Sequence, residues 1–328
     1  MNNEQDKKSP ESENCFLRTE QLTMHFPIGK KTVHAADDIS ISVPKGKTLG
    51  VVGESGCGKS TLGKMIVGLY KPTHGKIYFE GTELTALSVR DRAPYAKKIQ
   101  LVWQDAYSSL DPRMRGGEIV EEGMENFCPE LNKLQRREKM LKLLDMCGLY
   151  EEHAEFFPHQ FSGGQRQRLA IARALSTDPE LIVCDEAVSA LDVSVQAQII
   201  NLLKDLQDEL HLTYIFISHD LNVVRYVSDE IIVMYLGEIV ERGSKEAVYN
   251  NMAHPYTKLL FSATPVFAPG EKRTRRIPLR GDVASSIDPP KGCRFAGRCP
   301  DAGEKCREEA KWHEVEKNHY VKCHMFDE

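Results

Sequence analysis

The sequence predicts an α/β fold built on a largely parallel sheet, and three observations carry that expectation. Continuously apolar runs at 48–52, 181–184 and 214–217 read as strands buried on both faces. Helix-periodic stretches lie between and after them, at 59–69, 133–146, 165–176 and 195–210. Strand and helix therefore alternate, as parallel pairing with helical crossovers requires. The 328 residues allow one large domain with a small one, or two of medium size.

In chain order, residues 1–14 are polar, charged and aperiodic, and are expected to form a flexible leader with no secretory signal. Residues 16–22 and 39–43 alternate in polarity, as strands of an antiparallel β layer do. The strand at 48–52 runs into a glycine-rich turn and then a helix from Lys59. From about 105 to 160 the chain is helix-rich without a buried-strand pattern. This marks a helical insertion, and with the next helix it makes a helical subdomain of about 105–176. Residues 231–240 read as a hairpin turning at Leu236-Gly237. After Pro265 come Pro, Gly and a basic run, 272–276, expected to be a solvated linker face. The expected division is leader 1–14, main domain 15–265 and a small Cys-rich C-terminal domain 266–328.

Composition excludes several classes of function. With 41% hydrophobic and 28% charged residues the chain is not wholly disordered. Its net charge of −5 gives no electrostatic footprint for nucleic acid. The longest apolar runs, such as 231–236, fall far short of the ~20 residues of a bilayer-spanning helix. A cytoplasmic protein that reaches any membrane through partners is the expectation.

Gly53-Glu54-Ser55-Gly56-Cys57-Gly58-Lys59-Ser60-Thr61 fits a phosphate loop, G-x-x-x-x-G-K-[ST], between a buried strand and a helix. Glycines let successive N–H groups point into one concavity, and the helix adds its unpaired N–H groups and positive dipole end. Lys59 would meet the β- and γ-phosphates of ATP, and the Ser60 hydroxyl would ligate Mg²⁺. Asp185 and Glu186 end an apolar strand. Behind a phosphate loop, Asp185 can hold Mg²⁺ and Glu186 can activate the attacking water. Ser162-Gly163-Gly164-Gln165-Arg166 opens a helix with an N-cap serine and two glycines, a second anion-binding end in the same chain.

These motifs, in order with Gln104, Ser189-Ala190-Leu191-Asp192 and His219, resemble the ATP-binding subunits of ABC transporters over about residues 15–265. The resemblance implies a P-loop ABC ATPase core with a mixed sheet, an antiparallel β layer and the helical subdomain. It also implies that two ATPase domains stack head to tail, so that Ser162, Gly163, Gly164, Gln165 and Asp192 of one contact ATP held by the other. By position, Gln104 resembles the loop glutamine that senses γ-phosphate and Mg²⁺, and His219 the switch histidine. Phe26 is the candidate for stacking on adenine, with His34 as rival because 27–32 looks like an insertion. One departure stands out: Ala187 follows Glu186 where the family usually has Pro.

Stretches 102–114, 189–198 and 254–260, with Cys184 before the acidic pair, resemble the F-type ATPases of oligopeptide/dipeptide importers, which work as unlike pairs. That resemblance implies a companion ATPase, two transmembrane permease subunits, indirectly an extracytoplasmic peptide-binding protein, and a peripheral place on the cytoplasmic face of the membrane. Nickel importers share these stretches and stay open as an alternative, as does a soluble ABC-type ATPase. The tail carries Cys293, Cys299, Cys306 and Cys323, a set of four thiolates suited to a [4Fe–4S] cluster or Zn²⁺. The short C-x2–4-C knuckles usual for zinc are missing, and free thiols are the third reading. The tail also resembles the C-terminal domains of peptide-importer ATPases, for which an iron–sulfur cluster is implied. His313, His319 and His324 are the alternative zinc ligands.

Overall fold

A computed structural model describes residues 15–263 and 284–327. The leader, the boundary near 265 and the basic run at 272–276 lie outside the described residues.

The chain opens with β1 (Leu17–Ile28), β2 (Lys31–Ile39), β3 (Ser42–Val43) and β4 (Thr48–Val52), followed by α1 (Lys59–Val67). Then come β5 (His74–Phe79), β6 (Thr82–Glu83), α2 (Val89–Lys98) and β7 (Ile99–Val102). The helical set is α3 (Ala106–Ser109), α4 (Gly116–Phe127), α5 (Lys133–Met146) and α6 (Gly163–Leu175). After it run β8 (Leu181–Asp185), α7 (Val193–Leu210), β9 (Thr213–Ile217) and α8 (Leu221–Val227). The hairpin β10 (Glu230–Tyr235) and β11 (Glu238–Ser244) precedes α9 (Lys245–Asn250), α10 (Pro255–Ser262), β12 (Trp312–Glu316) and β13 (His319–Lys322).

Two sheets result. The larger has the order β12-β13-β11-β10-β4-β9-β8-β7, with β10, β4, β9, β8 and β7 mutually parallel. The smaller is antiparallel, β2-β1-β5-β6, with β3 beside β1. The three sequence-predicted strands are the fully buried centre of the larger sheet. Their side chains alternate between two cores, as a period of two demands. Leu49, Val51, Leu181, Val183, Ile215 and Ile217 pack with α1 and the antiparallel layer. Ile182, Cys184, Tyr214 and Phe216 pack with the helical set on the other face. A continuous apolar run is the pattern such a two-faced strand needs.

The stretch at 27–32, which looks like an insertion in the sequence, is instead a hairpin in which β1 and β2 continue to Ile28↔Lys31. The C-terminal segment was expected to be a small domain of its own. Its described residues add a hairpin to the ATPase sheet, because β13 pairs with β11 from Glu241↔Val321 to Gly243↔His319. Among the described residues, Val315, Val321, Cys323 and Phe326 also gather with Ala253 of the main domain in a small apolar cluster. Among the described residues no helix is long and apolar enough to cross a membrane.

Candidate functional site

The parallel strands all end on one side of the sheet, so the residues after their carboxyl ends converge, the usual place for a ligand in α/β sheets. The phosphate loop follows β4, Asp185 and Glu186 close β8, His219 follows β9 and Gln104 follows β7. Ser55, Gly56, Gly58, Lys59, Ser60, Thr61, Gln104, Glu186 and His219 line one cleft of about 460 Å³, completed by Val33, Ala35 and Ser286.

Within the loop, Gly53 and Gly58 have φ of 155° and 104°. A Cβ at either would fall 2.2 Å from the Met234 carbonyl oxygen or 2.1 Å from that of Ala35, so only glycine allows the curl. Lys59 is 4% exposed, and its Nζ donates to the carbonyls of Gly53 at 2.8 Å and Glu54 at 2.9 Å. The lysine is thereby held within the loop.

Ser60 Oγ donates to Asp185 Oδ1 at 2.7 Å. Burial pushes the Asp185 carboxyl above the ordinary range, against the Ser60 bond and the charges of Lys64 and Lys59. A carboxylate whose charge is so disfavoured gains from a divalent cation beside it. Glu186 Oε2 accepts from Gln104 Nε2 at 2.9 Å and lies 3.2 Å from His219 Nδ1. Glu186 itself sits at φ 48°, a left-handed conformation that costs an L residue roughly 1–2 kcal/mol. Without a following proline, it is held by its N–H to the Ile217 carbonyl, 2.9 Å, and by Ser189 N–H and Oγ on its own carbonyl. Ala187 is buried beside it.

The structure keeps the other motif apart. Ser162, Gly163 and Asp192 are exposed and line no part of this cleft. Ser162 and Gln165 form a capping box at the start of α6. Asp192 caps α7 by accepting from Val195 N at 2.9 Å, which starts that helix two residues before the periodic stretch. Phe26 pairs across the ladder with Val33, which lines the cleft, while its own ring meets Tyr70 edge-on at 5.5 Å. His34 Nδ1 is engaged with Asp37 at 2.9 Å, and Asp37 also pairs with His25 and Arg294.

In the C-terminal segment, Cys293 N–H donates to the Cys306 carbonyl at 2.9 Å. Burial pushes the Cys293 thiol up to about 11, and a thiolate at Cys306, Cys323 or Cys299 would push it further. Cys299 and Cys323 are likewise raised by burial. Among the described residues, no three of these sulfurs lie within 4.8 Å of one another. A single tetrahedral zinc with bonds of about 2.3 Å needs sulfurs roughly 3.8 Å apart. The histidines are engaged elsewhere: His313 and His324 with Asp327, each at 2.9 Å, and His319 with Glu241 at 2.8 Å.

Sequence reasoning missed Arg298, Arg294 and Tyr256. Arg298 makes a two-pronged pair with Glu54 of the phosphate loop, at 2.8 and 2.9 Å, and Tyr256 Oη accepts from Glu54 N at 2.8 Å. These partners are 202 to 244 residues from Glu54, so no local pattern announces them.

Residues 36–189 match the ABC transporter family, and residues 240–306 match the oligopeptide/dipeptide transporter C-terminal region. The dipeptide transport ATP-binding protein DppF of Haemophilus influenzae is 48% identical over 314 residues, 94% of each chain. The oligopeptide transport ATP-binding protein AppF of Bacillus subtilis is 49% identical over 325 residues, covering 96% of this chain and 98% of that one. A solved dimeric bacterial ABC transporter cassette superposes with a TM-score of 0.65 at 31% identity, over 70% of this chain and 98% of its own.

Proposed function

This chain belongs to the ATP-binding subunits of ABC transporters, and from that premise we propose that it powers the import of dipeptides or oligopeptides by hydrolysing ATP. The observation that carries the proposal is the single cleft shared by phosphate loop, Glu186, Gln104 and His219, in a chain alike end to end with peptide-transport ATPases. Those relatives are named for dipeptide and oligopeptide transport, so the nickel alternative is not favoured.

In this reading the loop amides and Lys59 hold the phosphates, and Phe26 stacks on adenine. Ser60, Asp185 and Gln104 would supply oxygens to a Mg²⁺ ion, which would spread charge over the phosphate oxygens. Glu186 accepts the proton of the attacking water. His219, already beside Glu186, contacts the γ-phosphate from the far side of the cleft. Since Ser162, Gly163 and Asp192 are exposed and lie outside this cleft, the Ser162–Gln165 turn and Asp192 act on ATP held by a second, companion ATPase. Closure of that pair drives two membrane permease subunits from the cytoplasmic face, and an extracytoplasmic binding protein delivers the peptide. Cys293, Cys299, Cys306 and Cys323 would hold a [4Fe–4S] cluster. Four cysteines in one short segment, without the close C-x2–4-C knuckles usual for zinc, support that assignment.

The test is uptake of labelled dipeptides and oligopeptides, with nickel in parallel, by cells lacking this chain and complemented with wild type or Glu186→Gln. Peptide uptake restored by wild type alone is the expected result. Nickel uptake restored with peptide uptake unchanged would overturn the substrate assignment while leaving the ATPase intact.

A further inference from the structure

The loop between Cys293 and Cys299 touches both rims of the nucleotide cleft. Phe295, 1% exposed, anchors it in an aromatic cluster, 5.3 Å from the Tyr235 ring and 5.4 Å from that of Tyr256. Arg294 reaches Asp37 on β2 and the Leu236 carbonyl at the β10–β11 turn. Arg298, 4% exposed, reaches the phosphate loop itself through both oxygens of Glu54. Glu54 is an awkward residue for this place. Its carboxylate sits beside a site for a polyanion, where an unpaired negative charge opposes binding. Its carbonyl takes Lys59 Nζ at 2.9 Å, and its N–H is fixed by the Tyr256 hydroxyl. Every polar group of Glu54 is therefore committed, and the carboxylate is committed to Arg298 alone among the described hydrogen bonds.

We propose that Arg298 is a positioning residue for ATP binding: it neutralises Glu54 and fixes the phosphate loop from the cysteine-bearing segment. The planar guanidinium matches the carboxylate with two parallel bonds, which sets direction as well as charge. Arg294 holds the same segment against β2, so the clasp spans the loop and the strand that carries Val33 and Ala35. The proposal concerns these side chains and does not depend on what the cysteines bind.

The experiment uses the full chain and measures the ATP dissociation constant, KM and kcat, with a thermal melt of each variant. Arg298→Ala should weaken ATP binding and raise KM by roughly tenfold, while kcat changes by less than about threefold. The double variant Arg298→Ala with Glu54→Gln should recover most of the affinity, because the exposed negative charge is gone. A purely structural role does not predict that recovery. Arg298→Lys should fall between, keeping the charge and losing the fork. Wild-type ATP affinity in Arg298→Ala, or a double variant no better than the single one, overturns the proposal. If Arg298→Ala does not fold, Arg298→Lys decides: affinity at least about threefold weaker supports it, and unchanged affinity overturns it.

Discussion

Helices α1 and α6 both start at glycine-bearing turns, yet their N-termini are finished in opposite ways. At α1 the N-cap is Gly58, in the left-handed region, and no side chain caps the helix. Its first N–H groups are left to the cleft, alongside Lys59 and Ser60. At α6 the helix caps itself: Ser162 Oγ accepts from Gln165 N at 3.3 Å and Gln165 Oε1 accepts from Ser162 N at 2.9 Å. An end built to receive several phosphate oxygens leaves its donors open. An end that meets solvent until a partner arrives satisfies what it can by itself. The contrast matches the proposed pairing, in which α1 binds ATP within one chain and α6 would complete the site of another.

The largest effect should come from separating binding and chemistry at the α1 side. Glu186→Gln keeps the loop, Lys59 and the Ser60–Asp185 pair but removes the proton acceptor. Turnover measured by phosphate release should fall by about 10²–10⁴-fold while ATP affinity is retained. Undiminished hydrolysis would take Glu186 out of that role.

A third helix start sharpens the comparison through pH. The N-cap of α10 is His254, 1% exposed, whose Nδ1 accepts from Tyr256 N at 3.0 Å. That acceptor exists only on the neutral ring. Burial depresses the His254 pKa to about 4 from the usual 6.5, with Lys258 adding and Glu241 opposing. Below about pH 6.5 the unfolded chain takes up a proton that the folded chain refuses. Stability should therefore decline from about pH 6.5 to pH 4, by roughly 3 kcal/mol from this group. Denaturant melts across that range check the sign. His254→Asn, which can still cap, should flatten this part of the profile, and an unaltered slope would assign it to other groups.

The uneven legibility of the molecule follows from how far apart interacting residues lie. The central strands were readable because burial on both faces leaves a continuous apolar run, and the phosphate loop because its chemistry is confined to nine neighbouring residues. Strands β5, β6 and β7 and helix α8 were not read, since they are short and mostly lack a clean period. At the site, Gln104, Glu186 and His219 were named in advance, but their mutual bonds emerge only from the parallel register. Val33, Ala35 and Ser286 were invisible: the β2 wall of the cleft is made where residues 286–288 lie along β2, with His34 N–H on the Ser286 carbonyl at 2.9 Å. The tail's sequence shows its cysteines and hides its arginines, because an arginine beside a cysteine carries no local signature of an ion pair 244 residues away.

The remaining three predictions test the opening contrast directly. Lys59→Ala removes a charge from the open end, and the affinity of the isolated chain for ATP should fall about tenfold or more, the value of a charge-assisted bond. Ser162→Ala removes only a cap. The melt should show a loss of about 1 kcal/mol, while ATP affinity of the isolated chain stays unchanged, since Ser162 lies outside its own cleft. Ser162→Asp separates cap from site, because aspartate caps a helix as well as serine but places a negative charge at the outward end of α6. Its melt should match wild type, and turnover by the assembled pair should drop as the carboxylate repels the phosphates of the opposite nucleotide. Wild-type turnover in Ser162→Asp would mean that α6 does not face a phosphate, and the two N-termini would then differ in structure without sharing a site.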